Sequence, residues 1–218
     1  MIARADPASR VLGGAPLLSD PIRGVRIEAA RLLADMADAQ IPPDRRAARA
    51  AALQEYEHAL ALEADWPSGQ VNLGNLRLQQ GRGDEALAAY ERAIALDKAF
   101  PDAYVNLADA LRQLGRDPEA EKVLRRGLAA LPRDADLHHS LGLLLTRKGD
   151  RAAALSEFIA AAKLAPDNAR HAYVHAIAVD SAGKREQALA LLRSANKRHP
   201  NDAVSYTHLR AHETGRNL

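Results

Sequence analysis

The sequence predicts an all-α fold in which pairs of helices stack into an α-solenoid. Its composition favours helices, because strong helix formers such as Ala, Leu, Glu and Arg are abundant while only 4% of the 218 residues are aromatic. The second observation is self-similarity: the chain aligns with itself when it is shifted by 34 residues. A fixed period of this length is typical of proteins in which each repeat packs against its neighbours.

Several columns of this alignment define the repeat. One column is always glycine, a second is always alanine, two hold only Gly or Ala, and one holds a large apolar residue. In that order they are Gly81, Gly115, Gly149 and Gly183; Ala86, Ala120, Ala154 and Ala188; Gly74, Ala108, Gly142 and Ala176; Ala93, Gly127, Ala161 and Ala195; and Tyr90, Leu124, Phe158 and Leu192. The alignment predicts four units, over residues 67–100, 101–134, 135–168 and 169–202.

Each unit is predicted to contain two helices. We expect the invariant glycine to close the first helix, because glycine adopts a positive φ without steric cost. The second helix is expected to end at or beside the next proline, since the residue before a proline avoids the helical region. Asp84, Asp117 and Asp150 are expected to cap the second helices, because a carboxylate can accept hydrogen bonds from free N–H groups there.

These columns resemble the tetratricopeptide repeat (TPR) family. In that family a small residue in the column of Gly74 lets the first helix approach the second, and alanines in the columns of Ala86 and Ala93 allow close contact between repeats. The resemblance implies a right-handed superhelix with a concave wall lined by the first helix of each unit. The chain departs from the family where an aromatic residue or a leucine is usual, at Arg77, Leu111, Leu145 and Val179, and at His175.

Two partial units are expected before the repeats. Residues 41–66 are similar to a second TPR helix, because their apolar residues align with those of the first repeat at a distance of 34 positions. The aligned residues are Ala52, Leu53, Tyr56, Ala59 and Leu62, and Ala86, Leu87, Tyr90, Ala93 and Leu96. In residues 1–40, the stretch from Asp20 to Leu33 resembles the second helix of a HEAT repeat, a different two-helix solenoid unit.

The C-terminal segment 203–218 does not continue the repeat. Residues 204–214 resemble a translated sequencing adapter, and Arg210 stands in a column that holds Gly or Ala in four successive units. We therefore expect this segment to be a non-native tail and the chain to be a fragment of a longer bacterial protein.

Composition excludes several classes of function. The absence of cysteine excludes disulfides, iron–sulfur clusters and thiolate zinc sites. The 30 Lys and Arg are nearly balanced by 28 Asp and Glu and form no basic block, so nucleic acid is not an expected partner. No apolar run reaches the roughly 20 residues of a membrane span. No signal peptide is visible, so the chain as written is expected in the cytoplasm, or in the periplasm if the full-length protein carries a signal.

No catalytic or cofactor motif is visible. Phosphate-binding, nucleophile-elbow and His-Glu-x-x-His patterns are missing. Four histidines, His138, His139, His171 and His175, have a spacing that could hold a metal on adjacent helices, but no carboxylate follows at ligand spacing, which favours a structural role. The sequence thus predicts no enzyme activity, no cofactor and no small-molecule ligand.

The repeat predicts a binding surface instead. The side chains expected to line its groove are Val71, Asn72, Asn75, Gln79, Val105, Asn106, Asp109, Arg112, Gln113, His139, Ser140, Leu143, Arg147, Tyr173 and Ile177. We expect this groove to bind a protein or an extended peptide, which makes the chain a scaffold. The alternative is that the chain is the C-terminal interaction arm of a larger bacterial enzyme or multihaem cytochrome, since a HEAT-like unit before TPR units resembles such arms.

Asparagines in the groove favour peptide recognition. Asn72 and Asn106 share a column, and an amide can pair with a peptide backbone whatever the peptide's side chains are. The column resembles the asparagine ladder of O-linked N-acetylglucosamine transferases, although Ser140 and Val174 end it after two units. The alternative is that Asn is common repeat background. The basic residues of a chaperone-binding carboxylate clamp are not matched, so chaperone tails are not an expected ligand.

Overall fold

The structure, a computed structural model, describes residues 6–199, which form eleven α-helices and no β-strand. The helices are α1 (Pro7–Gly14), α2 (Arg23–Leu32), α3 (Arg46–Ala61), α4 (Pro67–Gln79), α5 (Gly83–Leu96), α6 (Pro101–Gln113), α7 (Asp117–Ala130), α8 (Ala135–Arg147), α9 (Arg151–Leu164), α10 (Ala169–Ser181) and α11 (Arg185–Arg198). Short 3₁₀ segments lie at Ala15–Ser19, Asp38–Gln40 and Pro43–Arg45. The predicted all-α class is confirmed, whereas the expectations for residues 203–218 lie outside the described residues.

The chain divides into two compact units. The N-terminal unit ends at Gly115 and the C-terminal unit begins at Arg116. Within the N-terminal unit α2 packs against α3 and α4 packs against α5; within the C-terminal unit α8 packs against α9 and α10 against α11. From α4 onwards the helices alternate between 13 and 14 residues, which is the spacing expected of paired helices in a 34-residue repeat.

The predicted turns are confirmed by the backbone. Gly81, Gly115, Gly149 and Gly183 have φ values of 76°, 74°, 85° and 78°, and no non-glycine residue of the described chain has a positive φ. A side chain is strained in this conformation, so glycine is the residue that allows the first helix of a pair to end and the chain to reverse.

The expected caps are only partly present. Asp150 is the N-cap of α9, and its side chain accepts a hydrogen bond from the backbone N–H of Ala153. Asp84 and Asp117 lie inside the first turns of α5 and α7, whereas an N-cap residue stands directly before its helix. Helix α5 already begins at Gly83, and α7 begins at Asp117 itself. The two carboxylates therefore do not cap these helices, although a negative charge in the first turn still interacts favourably with the helix dipole.

Close helix packing depends on the small residues. Ala86, Ala120, Ala154 and Ala188 expose 0%, 1%, 2% and 1% of their surface, as the repeat predicts. A Cβ added to Gly74 would lie 2.5 Å from the Tyr90 ring, and one added to Gly142 would lie 2.5 Å from the Phe158 ring. At these two positions the helices of a pair thus lie so close together that only glycine fits between them.

The residues before α4 contain a buried cluster of their own. The predicted HEAT-like stretch contains α2, and the predicted second TPR helix contains α3. They enclose a cluster of fully or almost fully buried side chains that includes Leu18, Leu33, Ile41 and Ala52. The segment between them, with two 3₁₀ turns, is held in place by Arg49, which donates hydrogen bonds to the carbonyl oxygens of Leu33 and Met36.

Candidate functional site

An open groove lies in the C-terminal unit, between α8, α9 and α10. Its volume is about 620 Å³. Its lining is mostly apolar and consists of Leu143, Thr146, Arg151, Ala154, Phe158, Tyr173, Val174, Ile177, Ala178 and Ser181. A groove of this size lies within the range of about 300–1,000 Å³ that is usual for ligand sites.

Three of the residues predicted for the groove line it. Leu143 from α8 and Tyr173 and Ile177 from α10 meet there, which follows from their positions on the first helix of two successive units. Leu143 exposes 42% of its surface, which is high for a large apolar side chain. Exposed apolar surface inside a concave site is a common mark of a binding surface.

The second helix of the unit contributes residues that the sequence did not place in the groove. Phe158 lies on α9 and is 3% exposed, with its ring held against Gly142. Ala154 and Arg151 precede it by one and two turns on the same helix. The sequence identified Phe158 and Ala154 only as packing columns, and the periodicity contains no sign that they also border the groove.

His139 was expected in the groove, but it is buried. It exposes 3% of its surface, and its ring lies 4.8 Å from the ring of His171 and 5.9 Å from that of Phe158. The neighbouring helix α10 covers this face of α8, so His139 belongs to the helix–helix interface. Among the residues that the structure describes, neither ring nitrogen of His139 has a hydrogen-bond partner.

Burial controls the charge of these histidines. It lowers the pKa of His139 to about 4, and the nearby cation of Arg170 acts in the same direction. Burial also lowers the pKa of His171, against the opposing effect of Asp136, whose Oδ1 lies 3.2 Å from His171 Nε2. Both rings are therefore neutral at pH 7 and pack as part of the interface.

The described residues contain neither a metal-binding cluster nor a helix suited to cross a membrane. Within residues 6–199, no group of three or more His, Cys, Asp or Glu is arranged to hold a metal ion. His138, one of the histidines considered for such a site, instead lies 2.6 Å from Glu157. None of the described helices is long and apolar enough to cross a bilayer.

The predicted groove residues of the N-terminal unit are mostly polar, and some of them already form hydrogen bonds or ion pairs within the chain. Asn75 accepts a hydrogen bond from the hydroxyl of Tyr90 at 2.8 Å, and burial raises the pKa of that hydroxyl. Asp109 forms an ion pair with Arg112 at 3.3 Å. Val105 and Gln79 are half-buried and Gln113 is exposed.

Val71 was expected to line the groove but is 7% exposed. Helix α4 packs against α3, α5 and α6, and these neighbours leave its surface little open at that position. In the C-terminal unit, Ser140 is half-buried, and Arg147 is exposed and pairs with Asp117 at 3.1 Å. None of these three side chains lines the groove between α8 and α10.

The two asparagines of the predicted ladder differ in their surroundings. Asn72 is exposed, and no hydrogen bond of its side chain is found within the described residues. Asn106 is half-buried and donates from Nδ2 to the carbonyl oxygen of Asp102 at 2.8 Å. A ladder needs both amides free, so only one of them meets that requirement fully.

Comparison with known proteins identifies the repeat. Two family models, each described as a tetratricopeptide repeat, match residues 77–144 and 139–203. Together they cover more than half of the chain. No curated protein matches the sequence.

Solved structures share the fold. A thermophilic TPR protein of Thermus thermophilus, TTC0263, has a TM-score of 0.61 at 22% identity, over 88% of this chain and 100% of that one. YrrB, described as a TPR protein with an unusual peptide-binding site, has a TM-score of 0.53 at 22% identity, over 85% and 91%. MamA has a TM-score of 0.55 at 21% identity, over 70% and 89%. At these identities the likeness concerns the fold alone.

Proposed function

Because the chain belongs to the tetratricopeptide repeat family, we propose that it is a non-catalytic scaffold that binds a protein or an extended peptide in the groove between α8, α9 and α10. The observation that carries this proposal is the open apolar lining of that groove. Leu143, Val174 and Ile177 offer apolar surface to a partner, and covering such surface is the main favourable term in most associations.

The composition of the groove supports binding rather than catalysis. Its ionisable side chains are Arg151 and Tyr173. This set lacks the histidine or carboxylate that general acid–base chemistry uses most often. Thr146 and Ser181 supply hydroxyl groups, which can orient a bound backbone.

A related fold offers a parallel for this use. YrrB, which shares the fold at 22% identity, is described as having a peptide-binding site. The alternative function, an arm of a larger enzyme or cytochrome, has no observation in its favour among the described residues.

The proposal is tested by selecting peptides from a random library displayed on phage, with the full chain as bait. The selected peptides are then titrated against the parent protein, Val174→Arg and Ala190→Arg. Val174 lies half-buried in the groove and an arginine there would fill it, whereas Ala190 is exposed on α11 and does not line the groove.

We expect Val174→Arg to weaken binding at least tenfold and Ala190→Arg to leave it unchanged. Circular dichroism of both variants shows whether the helices are retained. Equal binding to the parent protein and to a folded Val174→Arg variant would refute a role for this groove.

A further inference from the structure

We propose that the groove between α8, α9 and α10 takes an acidic peptide segment. Such a segment places a bulky apolar side chain beside Leu143, Phe158 and Ile177, and an Asp or Glu side chain beside Arg151. This inference rests on the proposed function and names the chemistry of its partner.

The first observation is that Arg151 is a free cation at the groove. It is exposed, begins α9, and its guanidinium has no ion-pair or hydrogen-bond partner within residues 6–199. The cations just before it are engaged, because Arg147 pairs with Asp117 and Lys148 pairs with Glu121. An arginine presents a planar array of donors that suits a carboxylate.

The adjacent carboxylate does not neutralise this cation. Asp150 precedes Arg151 in the chain, but its side chain caps α9 by accepting a hydrogen bond from the N–H of Ala153 at 3.0 Å. A carboxylate supplied by a partner would therefore meet Arg151 without displacing an intramolecular ion pair, which is the condition under which a charged contact adds to affinity.

The second observation is the charge of the whole C-terminal unit. Residues 116–218 contain 17 Lys and Arg against 12 Asp and Glu, a net charge of +5. Residues 1–115 contain 13 Lys and Arg against 16 Asp and Glu, a net charge of −3. The unit that contains the apolar groove is therefore the basic one, and its field attracts acidic peptides and repels basic ones.

The third observation is that one repeat column of the groove is apolar in this unit and polar in the N-terminal unit. The column that supplies Leu143 and Ile177 to the groove holds Asn75 and Asp109 in the N-terminal unit. Asn75 is engaged there by the Tyr90 hydroxyl, whereas the equivalent Phe158 has no hydroxyl and leaves an apolar surface. At this column an apolar anchor side chain is therefore expected to prefer the groove beside Leu143 and Ile177 to the equivalent surface beside Asn75 and Asp109.

The test uses three synthetic peptides with the same Leu and Phe anchors, flanked by Glu, by Gln or by Lys. Both ends are capped, so that only side chains carry charge, and each peptide has a fluorescein label. Affinities are measured by fluorescence polarisation on the full chain and on Arg151→Gln, Arg151→Glu and Val174→Arg. Arg185→Gln is the matched control, because Arg185 begins α11 as Arg151 begins α9 but does not line the groove.

We expect the Glu peptide to bind the parent protein about tenfold more tightly than the Lys peptide. Arg151→Gln should remove most of the preference for the Glu peptide over the Gln peptide. Arg151→Glu should reverse the preference, so that this variant binds the Lys peptide more tightly than the Glu peptide. Arg185→Gln should keep the parent's preference. The reversal separates a local ion pair from the general field of the basic unit, because the unit keeps a positive net charge of +3 in Arg151→Glu.

Failure of this inference is distinguishable from failure of the proposed function. If all three peptides bind equally and Val174→Arg abolishes their binding, the groove is a peptide site and the acidic preference is wrong. If none of the peptides binds, the inferred chemistry is also wrong. If they bind and Val174→Arg changes nothing, the groove is not the site, and both proposals are overturned.

Discussion

At the scale of single residues, the side chains in two repeat columns are matched in size. Gly74 lies against Tyr90 and Gly142 against Phe158, and in both places an added Cβ would come within 2.5 Å of the ring. Where the first column holds alanine, as at Ala176, the partner in the same apolar cluster is the smaller Leu192. Each helix pair thus reaches close packing with a different combination of side chains.

Gly142→Ala should destabilise the protein, because its new methyl group overlaps the ring of Phe158. We expect a net loss of about 1–2 kcal/mol, since overpacking costs about 1–3 kcal/mol and the better helix propensity of alanine returns up to about 1 kcal/mol. Adding Phe158→Leu recreates the Ala–Leu combination of α10 and α11. The double variant should therefore lose less stability than the two single variants together, as measured by urea unfolding. Strict additivity would show that the two side chains are not matched.

His139 gives the interface a dependence on pH. Its folded-state pKa of about 4 lies below the ordinary 6.5, so between these values the unfolded chain binds more protons than the folded one. Stability is therefore expected to fall as the pH drops from 6.5 towards 4, with a contribution from this residue of about 3 kcal/mol. His139→Leu should flatten the pH profile of the free energy of unfolding in that window. The same slope in both proteins would show that other groups account for it.

At the scale of helices, two buried arginines hold the end of α2. Arg10 donates to the carbonyl oxygen of Leu32 at 3.1 Å and also pairs with Asp35. Arg49 donates to the carbonyl oxygen of Leu33 at 3.1 Å, and it pairs with Asp38 at 2.7 Å. The last carbonyls of a helix lack partners within the helix, so these side chains satisfy groups that would otherwise be buried without a hydrogen bond.

Arg49→Met should destabilise the N-terminal unit by about 2–3 kcal/mol, because buried carbonyl oxygens lose their donors. Hydrogen exchange should speed up between residues 33 and 45, the segment that Arg49 holds. Arg46→Met is the control, since Arg46 is exposed and its one side-chain hydrogen bond within residues 6–199 goes to the carbonyl oxygen of Ile41. Equal effects of the two substitutions would show that the buried hydrogen bonds contribute little.

Helix α5 allows a matched test of the alanine columns. Ala86 is fully buried, and Ala88, two residues later, is exposed. Ala86→Leu should cost about 1–3 kcal/mol through overpacking, whereas Ala88→Leu should stay within about 0.5 kcal/mol of the parent. Urea unfolding of the two variants measures the difference. A harmless Ala86→Leu would mean that the helix pair can separate without loss.

At the scale of the whole molecule, the two compact units have net charges of opposite sign. The net charge of +2 combines an acidic N-terminal unit with a basic C-terminal unit, so the overall value conceals both. A charged unit influences the encounter with a ligand more than the stability of the bound state, because long-range attraction acts before contact is made.

The association rate of the Glu peptide should therefore fall as NaCl is raised from about 50 to about 500 mM, by about three- to tenfold, since the Debye length shrinks. Its dissociation rate should change less. The Gln peptide serves as the control and should show little dependence on salt. Stopped-flow fluorescence separates the two rates, and a salt-independent association of the Glu peptide would contradict electrostatic steering.

The sequence alone was enough to predict the helical class, the turns at the four glycines and the burial of the alanine column. These properties repeat every 34 residues and depend on local backbone geometry or on contact within a helix pair, so the pattern of residue types determines them. The exact start of each second helix was less predictable, since Asp84 and Asp117 resemble caps in sequence but lie inside their helices.

Only the tertiary structure decided which side chains reach the groove. His139 and Leu143 lie one turn apart on α8, but the ring of His171 covers the first, and the second stays open. Arg151 and Phe158 enter the site because α9 packs behind α8 and α10, which no period in the sequence describes. The physical reason is that exposure at a helix surface depends on the size and angle of the neighbouring side chains, and these differ from one repeat to the next while the period stays the same.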